Sequence, residues 1–220
     1  SFEANDWPLI RKVAATGKPI IISTGISTYT ELSELLTEFS DCRERMALLH
    51  CLSAYPATCE MMNLHALQRL QQLGVEVGLS DHSLPSLASV AAVALGATVI
   101  EKHFTLNRAD GGPDAAFSLE PDELKELVQV TRQTWQALGD SSVLDNPKRA
   151  GTQHARSIYA IQDIAPGELL TTGNIRVIRP GFGLAPKHFQ HVLGTRAKQA
   201  IERGTALNWS LLALSDQQDQ

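Results

Sequence analysis

From Lys18 to about Trp135 the chain alternates short apolar runs with longer amphipathic ones. The runs Pro19–Ser23, Met46–Cys51, Val75–Ser80 and Thr98–His103 are apolar at successive positions, which predicts strands covered on both faces. The segments Thr30–Phe39, Met62–Leu73, Leu84–Leu95 and Pro121–Leu138 repeat apolar residues at three- and four-residue spacing with polar residues opposite, which predicts helices. Glu120-Pro121-Asp122 is a helix-start cluster, and Gly74 and Gly96 stand where helices should stop. Strand and helix in alternation is the pattern of βα units around a parallel sheet.

Such units build either a doubly wound sheet or a TIM barrel. No GxGxxG or GxxxxGK[ST] phosphate loop follows any strand, which favours the barrel. A full barrel takes roughly 200–250 residues and eight units, whereas four strands precede the change of character near residue 140. The expectation is therefore a partial TIM barrel, its first units lying outside this sequence. It would have two open sheet edges and uncovered apolar faces at Ile20–Ile22, Leu48–Leu49 and Val99–Ile100.

The polar, turn-rich stretch from Gly139 to Gln153 interrupts the periodicity, so residues 1–140 are read as the barrel part and 141–155 as a linker. Residues 156–214 then read as a small, mostly β domain with short β-type runs (SIYAI, NIRVI), turn signals at Pro166-Gly167 and Pro180-Gly181, and a helix-like stretch around Pro186–Leu193. Ala160, Ile164, Gly167 and Leu170 recur with identical spacing as Ala197, Ile201, Gly204 and Leu207, which predicts two similar β-arches packed together. Residues 215–220, SDQQDQ, are expected to be a disordered tail.

Composition narrows the function. With 43% hydrophobic and 20% charged residues the chain is an ordinary globular one, and a net charge of −5 offers no basic footprint for nucleic acid. No apolar run approaches the roughly 18–20 residues of a membrane span, and the start lacks the regions of a signal peptide, so a cytoplasmic location is expected. Three cysteines without a CxxC pair predict reduced thiols.

Chemistry in a parallel barrel collects at the C-terminal strand ends. Here they read Ser23-Thr24-Gly25, His50-Cys51-Leu52-Ser53-Ala54-Tyr55-Pro56, Ser80-Asp81-His82 and Glu101-Lys102-His103. Strand alternation puts Ser80 with His82 and Glu101 with His103, so the two imidazoles can converge across neighbouring strands. Two readings stand at this point: a site for Mn²⁺, Mg²⁺ or Zn²⁺ completed by substrate oxygens and water, or two hydrogen-bonded rim histidines. Asp114 in the loop Arg108–Asp114 is either a sugar-hydroxyl acceptor or a turn residue, and Tyr55 either a contact or packing. Ser23, Ser53 and Ser80 could bind a phosphate or carboxylate, or cap the next helix.

Taken in order, SFEANDWPLI, TGKPIIISTG, LLHCLSAYP, GLSDHS, EKHFTL, GGPDAAFSLEPDEL and RSIYAIQDIAPGELLTTGNIRVIRPGFGLAPKHF resemble the sialic acid synthase family. The last segment is similar to its C-terminal SAF, or antifreeze-like, domain. Ser53, the DGGPDAAFS loop and RPGFGLAPK resemble the pseudaminic acid synthase branch. The resemblance implies a transferase that condenses phosphoenolpyruvate with a 2,4-diacetamido-trideoxyhexose to a nine-carbon keto acid and phosphate. It implies a divalent metal, Mn²⁺ or Mg²⁺, on His82 and His103, with Glu101 in support. Ser23, Ser53 and Ser80 would line the phosphoenolpyruvate site, Tyr55 and Asp114 would meet the sugar, and Ser1 and Glu3 would supply further active-site groups. Arg179 would reach the acetamido group in the neighbouring subunit of a domain-crossed homodimer. The phosphoenolpyruvate-binding lysines of the family precede residue 1 in its pattern and are not in this sequence. The competing reading is an inactive remnant, or a SAF-type module that binds a glycan or protein.

Overall fold

The computed structural model describes residues 1–54, 57–146 and 150–213, in two compact units that divide after Gly139. The predicted tail and Tyr55 lie outside the described residues.

In the first unit the elements run α1 (Trp7–Ala14), β1 (Ile20–Ser23), α2 (Tyr29–Glu38), β2 (Met46–Cys51), α3 (Ala66–Gln71), β3 (Glu76–Asp81), α4 (Leu87–Ala94), β4 (Val99–Lys102) and α5 (Pro121–Leu138). The strands form one all-parallel sheet in the order β1-β2-β3-β4, the right topology for half of a barrel. Local chemistry sets the helix starts. Thr28 and Glu31 form a capping box on α2, and Pro121 opens α5, where an N–H would have no partner. Asp6 caps α1 by accepting the Leu9 N–H, a helix that the strand–helix alternation did not predict because it precedes the first strand.

Side chains alternate across the sheet. Ile20, Ile22, Met46, Leu48 and Val77 face the helices in one core with Leu32, Leu35 and Leu36, and Leu79 faces a second with Leu67, Ala88 and Ala92. The expected uncovered faces are found in part: Leu48 and Leu49 are both 0% exposed and Ile20 and Ile22 are buried, whereas Ile21 stands open at 57% and Val99 and Ile100 are half-buried. Leu48 is covered by helices. Leu49 points inward but lies over Gly78, where a Cβ would come within 2.5 Å of the Leu49 Cδ2 and 2.3 Å of the Val99 carbonyl. The missing side chain at Gly78 leaves the space that the buried Leu49 side chain occupies. Along β4, at the other edge, Val99, Phe104, Leu127, Val128 and Trp135 line an open apolar groove of about 820 Å³. Among the described residues no helix is long and apolar enough to cross a membrane.

The second unit pairs β5 (Ser157–Ala160) antiparallel with β6 (Ile175–Ile178), follows with the single-turn α6 (Phe189–Val192), and pairs β7 (Arg196–Ala197) with β8 (Leu212–Ala213). The sequence repeat becomes a local two-fold. Ile164 and Ile201 exchange backbone hydrogen bonds with each other at 2.9 Å in both directions. Gly204 N–H donates to the Ala160 carbonyl, and in the mirror position Gly167 N–H donates to the Ala197 carbonyl, both at 2.8 Å. Gly167 and Gly204 both turn the chain at positive φ, 80° and 90°, where a side chain would be strained. Ala160, Ala197, Ile164, Ile201, Leu170 and Leu207 all enter the same core, so each arch buries the face that neither could bury alone.

Candidate active site

The polar strand ends meet on the inner face of the half-barrel. Cys51, Ser80 and Glu101 are cross-strand neighbours in register, and Ser80 donates a 2.6 Å hydrogen bond to the Glu101 carboxylate. One step beyond the strands, the rings of His82 and His103 stand 5.2 Å apart, centroid to centroid. His82 is buried, and its Nδ1 lies 2.9 Å from the Leu52 carbonyl. A carbonyl only accepts, so this bond fixes the proton on Nδ1 and turns Nε2 into the lone-pair nitrogen. His103 Nδ1 lies 3.4 Å from the Asp114 carboxylate. Phe117 packs edge-on against both rings, at 6.3 Å from His82 and 5.0 Å from His103.

A second group gathers at β1. Ser53 Oγ donates to Ser1 Oγ at 3.2 Å, and Ser1, Glu3, Ile21 and Ser23 line a cavity of about 190 Å³. Ser1 packs so closely against Gly25 that a Cβ there would lie 2.4 Å from the Ser1 Cβ. Ser23 Oγ is buried with no hydrogen-bond partner among the described residues, an arrangement that disfavours the fold by about 1–3 kcal/mol unless a further group completes it. Glu3 is largely exposed, at 68% of its side chain. Cys51 Sγ, 3.8 Å from Ser53 Oγ, bridges the two groups.

Thus His82, His103, Asp114, Ser80 and Glu101 come together, Ser1, Ser23, Ser53 and Glu3 form the adjoining group, and Tyr55 lies outside the described residues. Arg179 belongs to the second unit and is exposed. Its loop is rigidly held: Ser157 Oγ donates to the Pro180 carbonyl at 2.8 Å and accepts the Gly183 N–H at 2.9 Å.

The loop that carries Asp114 is tied down by Arg108. Its guanidinium meets the Glu123 carboxylate with two hydrogen bonds, one of 2.8 Å, and donates to the Ser118 carbonyl at 3.0 Å, while its backbone N–H donates to Glu120 at 2.8 Å. The Arg108 guanidinium, aided by the Glu120 N–H, pulls the Glu123 carboxyl down to about 2 from an ordinary 4.5. A depressed acid contributes stability that is present above its unfolded value and is lost as pH falls through the folded one. Wild type should therefore melt above Glu123→Gln at neutral pH, and the gap should close between pH of about 4.5 and 2. A gap that stays constant over that window in thermal melts would show the pair to be energetically idle.

Sequence reasoning overlooked Phe117, the Leu52 carbonyl and the buried pair Asp81–Lys102 behind the histidines. Only the last left a trace: two charged residues at the helix-facing parity of otherwise apolar strands.

A four-stranded parallel sheet with its polar groups at the C-terminal strand ends is the arrangement of part of an α/β barrel. Residues 1–143 match the NeuB family and residues 155–213 match the SAF domain. The chain belongs to the NeuB family. It is 46% identical over 213 residues to pseudaminic acid synthase of Campylobacter jejuni, covering 96% of this chain and 62% of that protein. It is 42% identical over 215 residues to pseudaminic acid synthase of Helicobacter pylori, covering 94% and 62% respectively. Among solved structures, the spore coat polysaccharide biosynthesis protein SpsE of Bacillus subtilis matches with a TM-score of 0.60 at 33% identity, covering 98% of this chain and 67% of that one. The chain thus spans about three fifths of the length of the pseudaminic acid synthases it matches.

Proposed function

We propose that the chain is part of a synthase that condenses phosphoenolpyruvate with a 2,4-diacetamido-trideoxyhexose to give a nine-carbon keto acid and phosphate. The observation that carries the reading is the pair of imidazoles 5.2 Å apart at the ends of adjacent parallel strands. The similarity to two pseudaminic acid synthases supports this choice of sugar.

The residues fit a divalent metal such as Mn²⁺ or Mg²⁺. Two imidazoles bound to one ion at about 2.1 Å put their ring centroids about 5 Å apart, and an Nδ1–H held by a carbonyl is the usual orientation of a ligating histidine. Glu101 adds a carboxylate on the same face of the sheet, held by the Ser80 hydroxyl at 2.6 Å, and would support a bound cation. When bound, the metal would polarise the sugar aldehyde and stabilise the negative charge that its oxygen gains.

The enolpyruvate C3 attacks the aldehyde carbon, water adds at C2, and the C2–O bond to phosphate breaks. The unsatisfied Ser23 hydroxyl is a donor poised for a phosphate or carboxylate oxygen, and Ser53 and Ser80 reach the others once their hydroxyl protons turn away from Ser1 and Glu101. Ser1 orients Ser53 through their hydrogen bond. Asp114 and Tyr55 fix sugar hydroxyls, and Glu3 supplies a further carboxylate to the cavity that it lines with Ser1 and Ser23. Arg179 of one copy serves the acetamido group of a sugar held by a second copy in a domain-crossed homodimer. The open edges of the sheet and the groove along β4 are where further βα units would continue the barrel.

The test is a condensation assay with Mn²⁺, phosphoenolpyruvate and 2,4-diacetamido-2,4,6-trideoxy-altrose, following phosphate release, with and without a polypeptide that supplies the other strands of the barrel. Release that needs both the sugar and a divalent ion is the expected result. No release in either arm overturns the reading.

A further inference from the structure

We propose that the buried Asp81–Lys102 pair is a positioning device that presets the two histidines, an inference that rests on the metal-site reading above. Asp81 and Lys102 are register partners on β3 and β4, and their side chains are 0% and 3% exposed. They lie on the helix side of the sheet, opposite Ser80 and Glu101. Every lone pair of the Asp81 carboxylate that the surroundings can reach is used. Oδ1 accepts the Ser83 N–H at 2.8 Å and the Ser83 hydroxyl at 2.7 Å, while Oδ2 accepts the Ser89 hydroxyl at 2.8 Å and faces Lys102 Nζ at 3.1 Å. Lys102 Nζ donates in turn to the Ser83 carbonyl.

The cluster thus ties together β3, the turn after it, α4 and β4. His82 stands between Asp81 and Ser83 in the chain, so both of its backbone neighbours are members, and His103 directly follows Lys102. The regular ladder between the two strands ends at Asp81 and Lys102, immediately before the histidines. Beyond that point nothing in the sheet itself sets the distance between the imidazoles, and the ion pair takes over that task from behind. Packing does not call for it: a well-fitted apolar pair at such a position is commonly as stable or more so, because two charges lose their hydration there. The pair supplies fixed geometry instead.

The experiment compares the full chain with Asp81→Leu/Lys102→Met, which removes both charges together, and with Ser89→Ala, which removes one hydrogen bond and keeps the pair. Ring nitrogen NMR of ¹⁵N-histidine protein, assigned with His82→Ala and His103→Ala, reads the tautomers without metal, and Mn²⁺ titration by EPR reads affinity. The double variant should stay folded by circular dichroism, show an averaged His82 tautomer, and bind Mn²⁺ about 10–100-fold more weakly. Ser89→Ala should fall between it and the wild type. A folded double variant with wild-type ring signals and Mn²⁺ affinity overturns the proposal. If the double variant fails to fold, Ser89→Ala decides: unchanged ring signals and affinity in that variant overturn it as well. A wild-type chain with one fixed His82 tautomer that binds no Mn²⁺ overturns the metal reading instead, and the ring signals of the variants then decide the positioning role alone.

Discussion

His103→Ala is expected to lower metal-dependent phosphate release by about 10³-fold or more, the loss that follows when several kcal/mol of charge stabilisation at the aldehyde oxygen disappear. The ring of His103 stands beside that of His82 and against Asp114, and removing it takes away one of the two nitrogens available to an ion. The effect should appear at saturating phosphoenolpyruvate and should not be recovered by raising the sugar concentration, since the loss is of transition-state stabilisation and not of uniform binding. Initial rates measured across a Mn²⁺ series, with the chain complemented as in the condensation assay, decide it. A variant that keeps wild-type turnover at high Mn²⁺ would return the histidines to the status of hydrogen-bonded rim residues.

Lys102→Met alone should be the most damaging substitution to stability, at about 3–5 kcal/mol, because it leaves the Asp81 carboxylate buried without its cation. Asp81 would keep its bonds from Ser83 and Ser89, but these neutral donors do not offset the lost charge. The paired change Asp81→Leu/Lys102→Met should recover most of that loss, since no unpaired charge remains. Urea melts of the three proteins measure the difference. A single variant within about 1 kcal/mol of wild type would mean that the carboxylate takes up a proton or reaches water, and that the pair is less enclosed than its burial implies.

The sequence by itself determined the strands of the parallel sheet, their order and the helices between them, though not α1. Four continuously apolar runs became the four parallel strands within a residue or two at each end, because a strand with both faces covered admits only apolar side chains along most of its length. The repeat from Ala160 to Leu207 was legible for a related reason: two arches that share one core about a two-fold must place the same residue types at the same spacing. The parity of Ser80, His82, Glu101 and His103 likewise follows from the two-residue period of a strand. What period and composition leave open is which groups touch across strands. That Ser80 donates to Glu101, that the Leu52 carbonyl sets the His82 tautomer and that Leu49 closes over Gly78 all depend on register and on side-chain volume between segments far apart in the chain. The buried Asp81–Lys102 pair shows this most clearly. Each residue reads locally as a charge misplaced in an apolar strand, and only the packing of β3, β4 and α4 brings each the partner that makes its burial tolerable.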